Sequence, residues 1–270
     1  MSSTDPSLPL KPLHARRKFA TPRAIVALML REMATTYGRS PGGYIWAVLE
    51  PAAGIALLTA IFSLGFRSPP IGSNFPIFYA TGLVPFLAFI DVTNKTAASV
   101  TFSKPLLAYP SVTFFDAIAG RFLVNGITQL MVAFIILVGI LMLFETRTVP
   151  DYPQIITGFV MLAALSLGMG TMNCFLQTMF PVYQRIWSIL TRPLLLLSCV
   201  FYMFDTIPAQ FQTYLWFNPL VHVVGQMRKG FYPSYDATYV NPTFVRITSL
   251  VSLLIGLVFL LRYKRDLINY

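Results

Sequence analysis

Long apolar stretches are the feature that most constrains what this chain can fold into. Residues 122–144 carry no charged side chain, and five other stretches are almost as apolar. A helix of about 20 apolar residues can cross the hydrocarbon core of a bilayer, which is about 30 Å thick. The sequence therefore predicts an all-α integral membrane protein with six transmembrane helices, at residues 44–66, 75–94, 121–144, 154–179, 186–204 and 244–261.

The composition agrees with a chain that is solvated largely by lipid. Of the 270 residues, 56% are hydrophobic and 11% are charged, whereas a soluble domain has about 25% charged residues. The net charge of +10 does not indicate a nucleic-acid partner, because the basic residues are spread between the apolar stretches. Cys174 and Cys199 lie in apolar stretches and are predicted to be buried thiols. The spacing of His14 and His222 predicts no metal site.

The basic residues orient the predicted helices. If the N-terminus is inside, three quarters of the 20 Lys and Arg residues lie in cytoplasmic segments, and such a bias marks the cytoplasmic side. The prediction is therefore an N-in/C-in topology. Residues 1–20 lack the apolar core of a cleavable signal peptide and are predicted to be a flexible cytoplasmic tail.

Residues 21–43 form the next predicted unit, an N-terminal amphipathic interface helix followed by a turn. Val26, Leu30 and Met33 recur at helical spacing on one face, while Arg23 and Arg31 lie on another. A helix of this kind suits the cytoplasmic surface of the membrane. The Gly- and Pro-rich residues before 44 end it, and residues 44–270 form the predicted transmembrane domain.

Two connections between the predicted spans are too long to be simple loops. Residues 95–120 are cytoplasmic in the predicted topology, and their Ser103-Lys104-Pro105-Leu106 segment indicates short helices and turns. Residues 205–241 lie outside and are rich in aromatic side chains. A segment this apolar is predicted to form re-entrant or interfacial helices at residues 210–217 and 220–231 between spans five and six.

The motifs of common enzymes are missing from the sequence. It contains no GxxxxGK[ST] phosphate loop, no HExxH motif and no Ser/His/Asp arrangement, so the chain is not predicted to be an enzyme or to hydrolyse nucleotide by the phosphate-loop route. Glu50 and Asp91 lie on different predicted spans, which favours structural or pore-lining roles over a catalytic pair. Glu50 is predicted to face protein or water, beside a kink at Pro51.

Three ordered blocks of residues carry a family resemblance. They are Arg31-Glu32 with Tyr37-Gly38-Arg39, Gly43-Tyr44-Ile45-Trp46 and Leu49-Glu50-Pro51; Phe75-Pro76 with Gly82-Leu83, Pro85-Phe86 and Phe89; and Ile207-Pro208 with Gln210, Tyr214-Leu215, Asn218-Pro219-Leu220-Val221-His222-Val223-Val224 and Arg228. The chain resembles the ABC-2-type exporter permeases and, within them, the inner-membrane permeases of capsular polysaccharide export (the KpsM type). Gly225 and Gln226 stand where that family often has an acid.

The resemblance implies a half-transporter in the bacterial inner (cytoplasmic) membrane. A second copy would complete the translocation path, and two separate ATPase subunits would bind ATP and Mg, so no cofactor is expected in this chain itself. The further partners implied are a periplasmic polysaccharide co-polymerase and an outer-membrane export channel. The substrate implied is a lipid-linked glycan.

Two groups of candidate site residues follow from the resemblance and the residue types. The predicted ATPase-coupling residues are Arg31, Glu32, Ser103, Lys104, Pro105, Leu106 and Tyr109. The predicted substrate-path residues, in which rings would stack on sugars and cations would attract an anionic glycan, are Glu50, Phe201, Tyr202, Trp216, Arg228, Lys229 and Tyr232. The rival interpretations are a charged topology loop, a solvated Arg31–Glu32 pair, an aromatic belt at the interface, and snorkelling of basic side chains to lipid phosphates.

Three other functions compete with capsule export. A permease for O-antigen or teichoic-acid-type glycans would carry much the same sequence pattern. A secondary transporter would need intramembrane acids on broken helices in repeated halves, and the two halves of this sequence show no matching pattern. A membrane-embedded transferase would need a cluster of His, Asp or Glu near one face, and the sequence has none.

Overall fold

A computed structural model describes residues 20–37, 42–107, 112–264 and 267 of the chain. The described residues form helices and connections without a strand. The α-helices are α1 (Ala20–Glu32), α2 (Gly43–Gly65), α3 (Phe75–Ala97), α4 (Ser99–Leu107), α5 (Phe114–Leu143), α6 (Tyr152–Met179), α7 (Pro181–Leu197), α8 (Ala209–Trp216), α9 (Pro219–Phe231) and α10 (Pro242–Arg262). The predicted tail lies outside the described residues apart from Ala20.

Five segments of the described chain are helical, long and apolar enough to cross a membrane. They are α2, α3 together with α4, α5, α6 and α10. They correspond to five of the six predicted spans, and the all-α membrane architecture is therefore confirmed. The remaining predicted span, residues 186–204, overlaps α7, which has 17 residues.

The predicted continuation of this span to residue 204 is wrong. Helix α7 ends at Leu197, and Cys199 has a φ of 56°. A non-glycine residue in this left-handed region cannot continue a right-handed helix. The chain therefore turns at residues 198–203, and a short 3₁₀ turn at Phe204–Thr206 follows.

Helix α5 begins earlier than the predicted residue 121. The Thr113 hydroxyl accepts a hydrogen bond from the Asp116 backbone N–H at 3.2 Å, and the Thr113 N–H donates to Asp116 Oδ2 at 2.9 Å. This reciprocal capping box satisfies two backbone donors at the helix start. Helix α5 consequently begins at Phe114, and the predicted connection of residues 95–120 is largely helical.

Helix α3 is at the centre of the bundle, where it packs against α2, α5, α6 and α9. In its most apolar window 78% of the residues are buried, compared with 11% in α2. Helix α6 packs closely on α10 through glycine: a Cβ on Gly168 would lie 2.2 Å from the Ser249 carbonyl oxygen. Helices α3, α6 and α10 therefore form the fixed core, and α2 and α7 are little covered within one copy.

The aromatic connection of residues 205–241 folds back onto this core. The two short helices predicted there are present as α8 and α9, and they are separated at Asn218. The Asn218 side chain caps α9 by accepting a hydrogen bond from the Leu220 N–H at 3.1 Å. Helix α9 is buried along most of its length against α3 and α6.

Candidate functional site

Glu32, at the end of α1, forms a buried ion pair with Arg121 of α5. Glu32 is fully buried, and its Oε1 accepts hydrogen bonds from Arg121 Nη2 at 2.9 Å and Arg121 Nε at 3.2 Å. The rival interpretation of a solvated Arg31–Glu32 pair is therefore wrong. Two N–H groups of the planar guanidinium converge on one carboxylate oxygen, and these charge-assisted bonds fix the orientation of both side chains.

Arg121 also contacts the segment between α3 and α5. Its Nη1 donates to the Ala98 carbonyl at 3.1 Å, and its Cζ lies 4.3 Å from the ring centroid of Phe102. Arg31 Cζ lies 4.9 Å from the same ring, which gives Phe102 two cation–π contacts. We call Arg31, Glu32, Phe102 and Arg121 the Arg121 cluster. It joins α1, α4 and α5 at one point.

Four of the five remaining predicted coupling residues lie on α4, next to this cluster. Ser103 is buried, Leu106 is half-buried, and Lys104 and Pro105 are exposed. Helix α4 thus turns Phe102 and Ser103 toward the bundle and presents the Lys104-Pro105 step outward. Tyr109 lies outside the described residues.

Glu50 lines a polar groove between α2 and α3. The groove has a volume of about 330 Å³, and we define it by its polar and aromatic side chains, which are Trp46, Glu50, Asp91, Asn94, Lys95 and Gln129. Glu50 and Trp46 are one helical turn apart on α2, so both project to the same side. The structure therefore brings Glu50 and Asp91 to one groove, which the sequence alone could not establish.

Hydrogen bonds hold the α3 side of the polar groove in place. Asp91 Oδ2 accepts from Gln129 Nε2 of α5 at 2.7 Å and is 3.0 Å from Lys95 Nζ. Asn94 Oδ1 accepts from Trp187 Nε1 of α7 at 2.8 Å. Three helices besides α2 therefore meet at the groove. Gln129 and its bond to Asp91 were missed by the sequence analysis, because an amide on α5 can be matched to an acid on α3 only once the helices are packed.

Arg228 is buried inside the protein, which overturns both earlier interpretations of it as an exposed cation at the exit or a snorkelling side chain. It is fully buried, and it donates to the carbonyls of Tyr202 and Val200, each at 2.8 Å. Its Cζ lies 4.4 Å from the Phe78 ring centroid. The carbonyls belong to the turn after α7, whose backbone groups lack helical partners and need donors.

No anion neutralises Arg228 within the described part of the chain, where its contacts are to carbonyls and a ring. Burial raises the pKa of the nearby Tyr239 to about 12, so this phenol is neutral. Among the described residues, the carbonyl dipoles of Tyr202 and Val200 and the Phe78 ring therefore stabilise the guanidinium. Arg228 acts as a cross-link between α9, α3 and the turn after α7.

The other predicted substrate-path residues do not form one continuous lining. Tyr232 is buried, and Phe201, Tyr202, Trp216 and Lys229 are half-buried. Tyr202 alone among them lines the outer cavity of about 490 Å³ beside Phe211 and Tyr214. The Tyr202 hydroxyl donates to the Leu196 carbonyl at 2.6 Å.

His222 connects α8, α9 and α10, a role that the sequence motif did not reveal. Its Nδ1 accepts from the Asn241 N–H at 3.1 Å, so this nitrogen carries no proton, and Nε2 donates to the Trp216 carbonyl at 2.8 Å. Asn241 in turn caps α10. A neutral imidazole with one defined tautomer therefore links the end of α8, α9 and the start of α10.

Comparison with known proteins decides the family. The model of the family described as ABC-2 type transporter matches residues 23–232, which is most of the chain and includes the Arg121 cluster, the polar groove and Arg228. This chain belongs to the ABC-2 type transporter family. The resemblance deduced from the sequence is thereby confirmed.

Individual ABC-2 relatives cover nearly the whole chain. The polysialic acid transport protein KpsM of Escherichia coli is 32% identical over 244 residues, 90% of this chain and 95% of that protein. The capsule polysaccharide export inner-membrane protein CtrC of Neisseria meningitidis serogroup A is 27% identical, covering 90% of this chain and 92% of CtrC. BexB of Haemophilus influenzae, which has the same descriptive name, is 27% identical with the same coverage.

Family membership and the five apolar helices together define the location and class of the protein. The relatives are inner-membrane proteins by name, and the described chain has five helices able to span a membrane. This ABC-2 chain is a multi-pass protein of the inner membrane and a transport subunit.

Proposed function

We propose that this chain is the membrane permease of an ATP-driven exporter that moves a lipid-linked capsular polysaccharide across the inner membrane. One observation carries the proposal: relatives named for polysialic acid transport or capsule polysaccharide export align with 90% of the chain. The alignment includes both the membrane helices and the outer helices. The given sequence contains no GxxxxGK[ST] phosphate loop, so in this proposal a separate pair of ATPase subunits would supply ATP hydrolysis with Mg.

The proposed topology has six spans with both termini in the cytoplasm and α8 and α9 re-entrant from the outer side. Helix α7 would be the fifth of the six spans, with Arg185 and Arg192 toward the inside as the charge bias requires. Helix α7 has no buried residue and α2 is mostly uncovered. Both helices therefore have surface left for lipid or for the second copy of a homodimer.

The movement of the ATPase subunits on closure would be transmitted to the permease through α4 and α1. In the proposed topology the exposed Lys104-Pro105 step of α4 faces the cytoplasm and is the surface offered to the ATPase. The buried Glu32–Arg121 pair and Phe102 connect α4 and α1 rigidly to α5. A displacement of α4 or α1 would therefore move α5 as well, which is the requirement for coupling.

The remaining proposed partners act beyond the membrane. A periplasmic polysaccharide co-polymerase and an outer-membrane channel would receive the glycan at the outer helices. An O-antigen or teichoic-acid-type glycan would use the same machinery, so the cargo is identified by the glycan that accumulates when the permease is absent.

Co-expression with a candidate ATPase subunit tests the proposal. The expected result is a stable complex whose ATP hydrolysis rises when lipid-linked glycan is added. The variant Lys104→Glu is expected to lower the yield of complex, with the exposed Arg185→Glu as a matched charge-reversal control. Transport driven by an ion gradient in the absence of any ATPase would contradict the proposal and favour a secondary transporter.

A further inference from the structure

The polar groove is built at one depth of the bundle by two antiparallel helices. The first residues of α2 and the last residues of α3 line the same groove. Glu50 lies seven residues after Gly43, and Asp91 lies six residues before Ala97. At a rise of about 1.5 Å per residue, both carboxylates are about 10 Å from the adjacent helix ends. The two acids therefore share one level inside the spanning segments.

The groove has hydrogen-bond acceptors that the described chain does not satisfy. Asp91 uses Oδ2 for Gln129 and Lys95, while Oδ1 has no hydrogen bond or ion pair to a described residue. Neither oxygen of Glu50 has one, although Glu50 lies inside an apolar helix. An ionised carboxylate within a span requires polar partners. Three carboxylate oxygens are thus available to donors from outside the described chain.

The groove also presents an aromatic surface. Trp46 lies one turn before Glu50 and is 61% exposed, so its ring is open to a ligand in the groove. Hydroxyl groups donate to carboxylates, and apolar C–H faces pack on an indole ring. A pyranose ring has both kinds of surface, which a metal ion or an acyl chain does not.

The charge of the groove selects among sugars. Among the described residues that line the groove, Glu50 and Asp91 are two acids and Lys95 is the one base, which is paired with Asp91. A sugar carboxylate placed here would face uncompensated negative charge, and like charges at contact distance disfavour binding. The volume of about 330 Å³ is at the lower end of small-molecule sites, which span about 300–1,000 Å³. A single neutral sugar unit is compatible with both the charge and the volume of the groove.

We propose that the polar groove binds a neutral, hydroxyl-rich sugar unit of the exported glycan, with Glu50 and Asp91 as acceptors and Trp46 as the stacking face. The inference rests on the proposed export function. It adds the chemistry of the unit recognised and three residues, Trp46, Asp91 and Gln129. Gln129 is a positioning residue, because it holds Asp91 rather than the sugar.

Tryptophan fluorescence of the full chain in lipid nanodiscs tests the groove directly. The chain has three tryptophans: Trp46 lines the groove, Trp187 bonds to its Asn94, and Trp216 lies among the outer helices. The probes are the methyl glycosides of glucose, galactose and N-acetylglucosamine, with methyl glucuronide as an anionic probe of similar size. We expect a saturable change with at least one neutral glycoside and weaker binding of the glucuronide.

Variants assign the signal to the groove. Glu50→Ala is expected to weaken binding about tenfold, because a hydrogen bond to a charged acceptor is lost; Glu50→Gln keeps an acceptor and is expected to bind more tightly than Glu50→Ala. The exposed acid Glu145 provides the matched control, Glu145→Ala, which must keep the response that Trp46→Phe loses. The absence of a saturable change with all three neutral glycosides, or equal affinity in wild type and Glu50→Ala, would overturn the inference.

A second copy is the competing occupant of the groove. The variant Glu50→Cys tests this, since both native cysteines are buried. Efficient disulfide cross-linking of two copies at position 50 in nanodiscs would show that the groove is closed by the partner and would overturn sugar binding there. These outcomes are separate from the export test, because a failed titration leaves the glycan accumulation of a deletion strain unaffected.

Discussion

Arg121 is the residue on which three elements depend, since it contacts Glu32 of α1, the Ala98 carbonyl before α4, and the Phe102 ring. We predict that Glu32→Ala destabilises the permease by about 3–5 kcal/mol, because it leaves a buried guanidinium without its anion. The expected observation is a lower melting temperature of the purified protein and a loss of glycan-stimulated ATP hydrolysis. The double variant Glu32→Arg/Arg121→Glu should recover part of both, because the opposite charges are restored.

The matched control for this prediction is the exposed Arg185→Ala, which should leave both properties near wild type. Equal behaviour of the single variant Glu32→Ala and this control would contradict the account of the Arg121 cluster. A double variant that is no better than Arg121→Glu alone would show that the pair itself is not what matters.

Arg228 gives a second prediction at the residue scale. Arg228→Met removes both donors to the carbonyls of Val200 and Tyr202, and each buried unsatisfied acceptor costs about 1–3 kcal/mol. We expect a sharp fall in the yield of folded protein, measured as the monodisperse fraction in detergent. Arg246 is exposed, so Arg246→Met is the control. A normal yield for Arg228→Met would contradict the cross-linking role.

These residue contacts could not be deduced from the sequence, although the residues themselves stood out. Arg31 and Glu32 were identified as important, but the partner of Glu32 is 89 residues away. Arg228 was identified as a candidate residue, but its predicted exposure was wrong. The carbonyls that hold it belong to a turn that no local pattern revealed. Sequence periodicity indicates which face of a helix is apolar, and it does not indicate which distant backbone groups lack donors.

At the scale of elements, close helix packing through glycine gives a prediction with an internal control. A Cβ on Gly168 would lie 2.2 Å from the Ser249 carbonyl oxygen, whereas nothing lies within 4 Å of a Cβ on Gly139. Gly168→Ala must therefore separate α6 from α10, and overpacking typically costs about 1–3 kcal/mol. We expect a lower melting temperature for Gly168→Ala and none of that loss for Gly139→Ala. The same loss in both variants would contradict the described packing of α6 on α10.

The helices were predicted well where apolar length alone defines them and poorly where local backbone structure sets a helix end. Five predicted spans overlap helices that can cross a membrane, and the two outer helices are present. The early start of α5 depends on the Thr113–Asp116 capping box, a short signal inside what otherwise reads as a polar connection. The end of α7 depends on the backbone conformation of Cys199, for which the residue type gives no warning.

At the scale of the whole molecule, the rigid and the uncovered parts of the permease are separate. Helices α3, α6, α9 and α10 pack tightly, whereas α2 and α7 are little buried in one copy. The polar groove lies where these two parts meet, since Glu50 is on α2 and Asp91 on α3. Relative motion of α2 and α3 during a transport cycle would therefore open or close the groove.

The central claim is that this chain exports a lipid-linked glycan, and the most direct measurement is the fate of that glycan in a strain from which the gene has been deleted. The account predicts that surface capsule disappears while lipid-linked glycan accumulates in the cytoplasm, and that the wild-type gene restores export. Glu145→Ala should restore it equally well, and Glu50→Ala should restore it poorly at normal protein level. Unchanged surface glycan with no cytoplasmic accumulation in the deletion strain would contradict the account.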